Sequence, residues 1–250
     1  KEVETYLTDY LKIPYVPHEH QIEAIKTSIN KNRCLLLSPT GSGKSLMIYS
    51  LMRYYLETIP KDKKILVVVP TTGLVSQMYS DFKEYSNQNN WDTEKYCHTI
   101  FAGQDKQTEK RVVISTWQSI YNMNEKYFNE YHAIFGDECH LLKAKSLTNR
   151  MTKLKDCPYR IGTTGTLDDS ITHKLVIEGL FGRVHNITST KELMEKNLLS
   201  HLNIDCITLK YRLEEINEIK RVKYDEEIKW ILNNKKRNKF LVDLSCKVKG

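Results

Sequence analysis

A chain of 250 residues can bury one large core or two small ones. Its formal charge of +7 fits a polyanionic partner, because lysines and arginines gain affinity by releasing counterions from phosphates; a solvated basic surface is the competing reading. The six cysteines stand singly, with no Cys-x-x-Cys pair, which argues against a zinc ribbon or a small disulfide scaffold.

No stretch is apolar over the length a membrane span needs, and none reads as a signal peptide. Cys34, inside Cys34-Leu35-Leu36-Leu37, reads as a buried reduced thiol. Together these point to a cytoplasmic protein, in the host cytoplasm if a phage encodes it. The chain opens on Lys1, and the expectation is a piece of a longer protein.

In chain order, residues 1–32 form a lead-in to the first strand expected, Arg33–Ser38, which a helical stretch Ser45–Thr58 follows. Next come a strand Ile65–Pro70 and a helical stretch Leu74–Tyr85, then strands at Tyr96–Phe101, Arg111–Ser115, Ala133–Asp137, Tyr159–Thr163 and Ile204–Leu209. The run Ile65-Leu66-Val67-Val68-Val69 is β-branched-rich without alternation, as in a strand covered on both faces. Strand–helix alternation predicts an α/β fold, a mostly parallel sheet with helices on both faces, whose ligands bind beyond the strands' carboxyl ends. After Leu209 the composition turns to Lys, Glu, Asn and Arg, which predicts one or two exposed helices or a linker over Tyr211–Lys239.

Ser38-Pro39-Thr40-Gly41-Ser42-Gly43-Lys44-Ser45 lies between an apolar strand and a helix, the context a phosphate-binding loop requires. Gly41 and Gly43 let the backbone curl so that successive N–H groups face a phosphate, with the helix amino terminus behind them. Lys44 would place its charge on the β- and γ-oxygens of ATP, and the Ser45 hydroxyl would ligate Mg2+. Ser38 stands where Gly or Ala is usual.

Ala133–Gly136 leads into Asp137-Glu138-Cys139-His140, a strand ending in two carboxylates. Asp137 would hold Mg2+, directly or through water, and Glu138 would polarise the water attacking the γ-phosphate. His140 either senses the nucleotide and couples it to a neighbouring motif, or makes an ordinary polar contact.

With that phosphate loop, Asp-Glu-Cys-His resembles the DExH box of superfamily 2 helicases, and further motifs follow the family's order. Val69–Met78 resembles motif Ia and Ser115–Ser119 motif Ic, which touch the nucleic-acid backbone; on these segments the expected contacts are Pro70, Thr71, Thr72, Thr116, Trp117 and Gln118. Gly162–Leu167 stands where motif III couples hydrolysis to strand movement, through Thr164, Gly165 and Thr166. Pro17–Ala24 resembles the segment whose glutamine, Gln21, reads adenine, although His20 replaces the usual aromatic. Physically, strand-end loops rich in Thr, Ser and Gly suit backbone gripping without base reading, and ordinary βα turns are the alternative. Trp117 reads as a base-stacking platform or as core beneath its loop.

The resemblance implies a RecA-like motor domain over 33–209, with 210–250 a connector and the start of a truncated second motor domain. It implies ATP and Mg2+ as cofactors and nucleic acid as a sequence-independent partner, DNA favoured, branched or duplex, as for a phage helicase in recombination and repair. Superfamily 2 motors draw arginine fingers from Gln-x-x-Gly-Arg-x-x-Arg in a second domain, and that pattern does not occur here. The expectation is therefore an ATP hydrolase in the full-length parent and a very weak one in this chain alone. A restriction-enzyme motor subunit, an RNA helicase and a non-catalytic nucleic-acid-binding module remain as alternatives.

Overall fold

The computed structural model describes residues 2–101, 105–141, 156–167, 171–201, 206–220 and 222–247. The chain divides into two compact units, Lys1–Ser200 and His201–Gly250.

The first unit is built on seven parallel strands: β1 (Arg33–Leu37), β2 (Lys64–Val69), β3 (Cys97–Ile100), β4 (Val112–Thr116), β5 (Tyr131–Gly136), β6 (Tyr159–Thr164) and β7 (Val184–Asn186). Their order across the sheet is β3-β4-β2-β5-β6-β1-β7. Both faces are covered, so alternate residues of one strand enter different cores. Ile65, Val67 and Val69 of β2 join one apolar cluster with the helix Lys44–Thr58, while Leu66 and Val68 join the other with Phe128 and Phe181. That two-sided burial is why β2 reads as an unbroken apolar run. Leu7, Leu11, Ala24 and Ile25, upstream of β1, belong to the first cluster.

The helices match the expected stretches to within a turn: Lys44–Thr58 and Thr72–Tyr85, beside Glu19–Lys31 ahead of β1. Two strand expectations are corrected. β7 was not anticipated: at three residues, none of them buried, it has no period to reveal it. The expected strand Ile204–Leu209 falls partly outside the described residues, and its described part, Cys206–Leu209, is not a strand. In the second unit three helices, Leu213–Ile219, Tyr224–Asn233 and Lys235–Ser245, carry no buried residue, so their polar composition matches their exposure. Cys34, Cys97, Cys139 and Cys157 are buried free thiols, whereas Cys206 and Cys246 are exposed.

The strand order separates two sets of carboxyl ends. β6 lies between β5 and β1, so the acidic motif, the threonine-rich end of β6 and the phosphate loop sit side by side. The ends of β3, β4 and β2 form a second group.

Candidate nucleotide site and nucleic-acid groove

The loop after β1 is anchored at its first residue, where Ser38 N donates to Thr164 O of β6 at 2.9 Å. Ser38 Oγ donates to Ser42 Oγ at 2.7 Å, and both serines are buried. The loop closes on itself through Ser42 N to Pro39 O, 3.3 Å. Gly41 and Gly43 have φ of +82° and +81°, the left-handed region that glycine enters without strain. A side chain at Gly43 would also fall on the Gln21 amide.

Gln21 bonds at both ends of its amide: its Nε2 donates to Ser42 O at 3.1 Å, while its Oε1 accepts from His18 N at 2.9 Å. His20 Nε2 reaches the same Ser42 carbonyl at 2.9 Å, and burial lowers its pKa. The segment expected to read adenine thus braces the phosphate loop here. A pocket of about 660 Å³ opens beside it, lined by Pro17, His20, Ile187, Thr188, Glu192 and Lys196.

Lys44 is 8% exposed, and its Nζ lies 2.7 Å from Glu138 Oε1 and 3.4 Å from Ser38 O. Glu138 reaches it from a turn in which its own φ is +46°. That conformation costs a non-glycine residue of order 1 kcal/mol, and such outliers cluster at functional sites. Beneath this turn Gly136 and Gly162 pair across β5 and β6; a Cβ on either would meet Cys139 Sγ and the Phe181 ring within 3.0 Å. The Asp-Glu-Cys-His motif therefore needs small residues under it as well as carboxylates within it.

Asp137 accepts from Thr163 Oγ1 at 2.7 Å. Burial, then the Glu138 charge, push its carboxyl pKa up, against the Thr163 hydrogen bond and Lys44. His140 Nδ1 lies 2.8 Å from Thr164 Oγ1 and 3.4 Å from Glu138 Oε2. Thr164 donates its proton to Thr166 O at 2.7 Å, so its oxygen accepts from His140 and the histidine proton resides on Nδ1. Gly165 N points to Glu138 Oε2 at 3.4 Å, and a Cβ on Gly165 would approach Thr40 N and Lys44 Nζ. The end of β6 thus touches both the acidic motif and the phosphate loop.

Ser45 Oγ lies 2.9 Å from Tyr85 Oη, and the Ser45 hydroxyl offsets part of the burial that raises the Asp81 carboxyl pKa. Sequence reading missed Tyr85 and Asp81: they sit on the helix Thr72–Tyr85, which begins inside motif Ia, and nothing in their local pattern signals a tertiary contact. Ser45 and Asp137 offer hard oxygen donors, which suit Mg2+. Among the described residues no group of three or more His, Cys, Asp and Glu side chains gathers as a metal site, so an ion there would take its remaining ligands from phosphate and water.

At the second group of strand ends, Pro70, Thr71, Thr72, Phe101, Lys106, Thr116, Gln118 and Ser119 line an open groove of about 500 Å³. Thr71 Oγ1 accepts from Leu74 N at 3.4 Å and Thr116 Oγ1 from Ser119 N at 3.3 Å, so both threonines cap helices whose amino termini face the groove. Thr72 and Gln118 are exposed, and Thr116 is buried. Trp117 is buried against Phe128, ring centroids 6.3 Å apart, and of its two readings the structure selects core.

This fold, with these loops in this order around the sheet, is that of the first RecA-like domain of a superfamily 2 helicase. The chain belongs to the family described as "Type III restriction enzyme, res subunit", whose model matches residues 14–169. It is 33% identical over 232 residues to the ATP-dependent DNA helicase uvsW of Enterobacteria phage T4, covering 93% of this chain and 46% of that protein. It is 28% identical over 183 residues to the DNA 3′-5′ translocase XPB2 of Sulfurisphaera tokodaii, covering 70% and 37%. The crystal structure of T4 UvsW superposes with a TM-score of 0.62 at 32% identity, covering 92% of this chain and 44% of that one. The chain spans less than half the length of these curated relatives.

Proposed function

We propose that this chain is the ATP-binding motor domain of an ATP-dependent DNA helicase or translocase. The single observation that carries the reading is the convergence of Lys44, Glu138 and Gly165 at one point between β1, β6 and β5. The phosphate loop wraps the nucleotide's phosphates with its backbone N–H groups, and Lys44 turns from Glu138 to their oxygens. Released from Lys44, Glu138 accepts a proton from the water it orients towards the γ-phosphate. Ser45 and Asp137 would hold Mg2+, which would neutralise charge on the phosphate oxygens. His140, Thr164 and Gly165 connect Glu138 to the end of β6, so a change at the phosphates moves the loop after β6.

The groove beside Thr71, Thr72 and Gln118 takes nucleic acid, and helix amino termini and small hydroxyls there favour phosphates over base edges. DNA is favoured by the relatives' names, branched or duplex DNA being the proposed substrate. A second RecA-like domain in the complete protein is proposed to supply the arginine that this site needs in the transition state.

The test is ATP hydrolysis by the complete protein with single-stranded, duplex and forked DNA and with RNA, measured together with strand separation. Stimulation by DNA supports the reading; hydrolysis indifferent to every nucleic acid overturns it. The family's description as a restriction-enzyme subunit supports a second reading, translocation without unwinding, which DNA-stimulated hydrolysis with no separated strand would select.

A further inference from the structure

We propose that Phe101 is a base-stacking platform, and that the groove holds an unpaired strand with at least one base turned inward. The inference rests on the reading of that groove as a nucleic-acid site and adds what it binds there. Backbone gripping alone needs only donors, and the groove has them in Thr72, Gln118 and the helix amino termini. Phe101 is a different kind of group. It follows β3, is only partly buried, packs against the core and lines the groove together with Pro70 and Thr72. A partly buried ring held by the core and open to a groove is pre-organised to meet a flat partner, since it loses little freedom on contact.

Trp117, beside the groove, is buried against Phe128, and among the described residues that line the groove Phe101 is the one aromatic ring. Lys106, exposed and lining the same groove, supplies a charge for the phosphate beside a stacked base. An aromatic face with hydroxyl, amide and ammonium donors around it is the combination that binds single strands without reading sequence. In a paired duplex the bases stack on one another and offer no free face, so this groove prefers a strand already opened.

The experiment compares binding of a short oligothymidylate and an abasic oligonucleotide of equal length and charge, by fluorescence anisotropy, to this chain and to Phe101→Leu and Phe101→Tyr. The wild type should bind the oligothymidylate about 10-fold more tightly, in keeping with one stacked base. Phe101→Leu, which keeps apolar packing but loses the π face, should bind both oligonucleotides with the abasic affinity. Phe101→Tyr should restore the difference. Equal, salt-sensitive binding of both oligonucleotides by the wild type would overturn the stacking platform and leave the groove reading intact. Full oligothymidylate preference in Phe101→Leu would likewise overturn it. No binding of either oligonucleotide by the wild type would overturn the groove itself and the platform with it.

Discussion

Lys44 Nζ sits 2.7 Å from Glu138 Oε1, so the cation expected on the phosphates and the carboxylate expected on the attacking water neutralise each other. A nucleotide must separate them, and binding competes with their attraction. Glu138→Gln keeps the side chain's shape but removes the charge that holds Lys44. ATP should therefore bind more tightly to this variant, while turnover by the complete protein falls about 10²- to 10⁴-fold, the range of a lost general base. Equilibrium binding of a fluorescent ATP analogue beside phosphate release checks both. Weaker binding with preserved turnover would contradict the shared role.

Tyr85 should matter to the metal rather than to the nucleotide. A serine hydroxyl has one hydrogen and two lone pairs; to face a cation with a lone pair it must direct the hydrogen elsewhere. Tyr85 Oη, 2.9 Å from Ser45 Oγ, is the partner on hand. Tyr85→Phe removes one neutral hydrogen bond, worth about 2- to 10-fold in affinity. The Mg2+ concentration for half-maximal ATP binding should rise by that factor, with metal-free ATP binding unchanged. An equal loss with and without Mg2+ would make Tyr85 a packing residue only.

Much of this was legible in the chain. The unbroken run Ile65–Val69 announces a strand buried on both faces, and the structure puts its alternate residues in two cores. Gly41 and Gly43 carry the positive φ that their loop requires. Legibility fails where partners come from elsewhere in the fold. Gln21 Nε2 reaches Ser42 O of the phosphate loop, a contact set by how the helix Glu19–Lys31 packs and announced by nothing in its local pattern. Trp117 was read two ways because a lone aromatic next to a loop does not say which side it faces. Phe101 looked like the end of a strand, and only the neighbouring ends of β2 and β4 make it a groove wall. The short β7 and the expected strand at Ile204–Leu209 fail for a related reason: brief or isolated apolar runs carry no period.

The packing under the acidic turn gives a stability prediction. A methyl group at Gly136 would meet Cys139 Sγ and Phe181 Cζ, each at 2.8 Å. Overpacking of this kind costs about 1–3 kcal/mol. Gly136→Ala should lower the urea midpoint accordingly without changing the slope. An unchanged midpoint would mean that the turn is looser than its contacts indicate.

The groove should grip phosphates without regard to sequence. Thr72 and Gln118 are exposed there, whereas Thr71 and Thr116 cap helices, so the first two are the better probes. Thr72→Ala with Gln118→Ala should weaken binding to every sequence alike, and wild-type affinity should fall steeply with salt. Loss confined to one sequence, or affinity that holds from low to high salt, would contradict backbone binding.

If the loop Ser38–Ser45 binds the phosphates of ATP, that binding depends on Lys44. Binding of Mg-ATP to this chain, followed calorimetrically for the wild type and for Lys44→Ala, requires no assumption about the rest of the protein. The wild type should bind saturably, the variant should lose binding by at least about 10-fold, as expected for a charge-assisted contact of about 1.5–3 kcal/mol, and DNA affinity should be retained. Undiminished ATP binding by Lys44→Ala would place the nucleotide elsewhere and contradict the account.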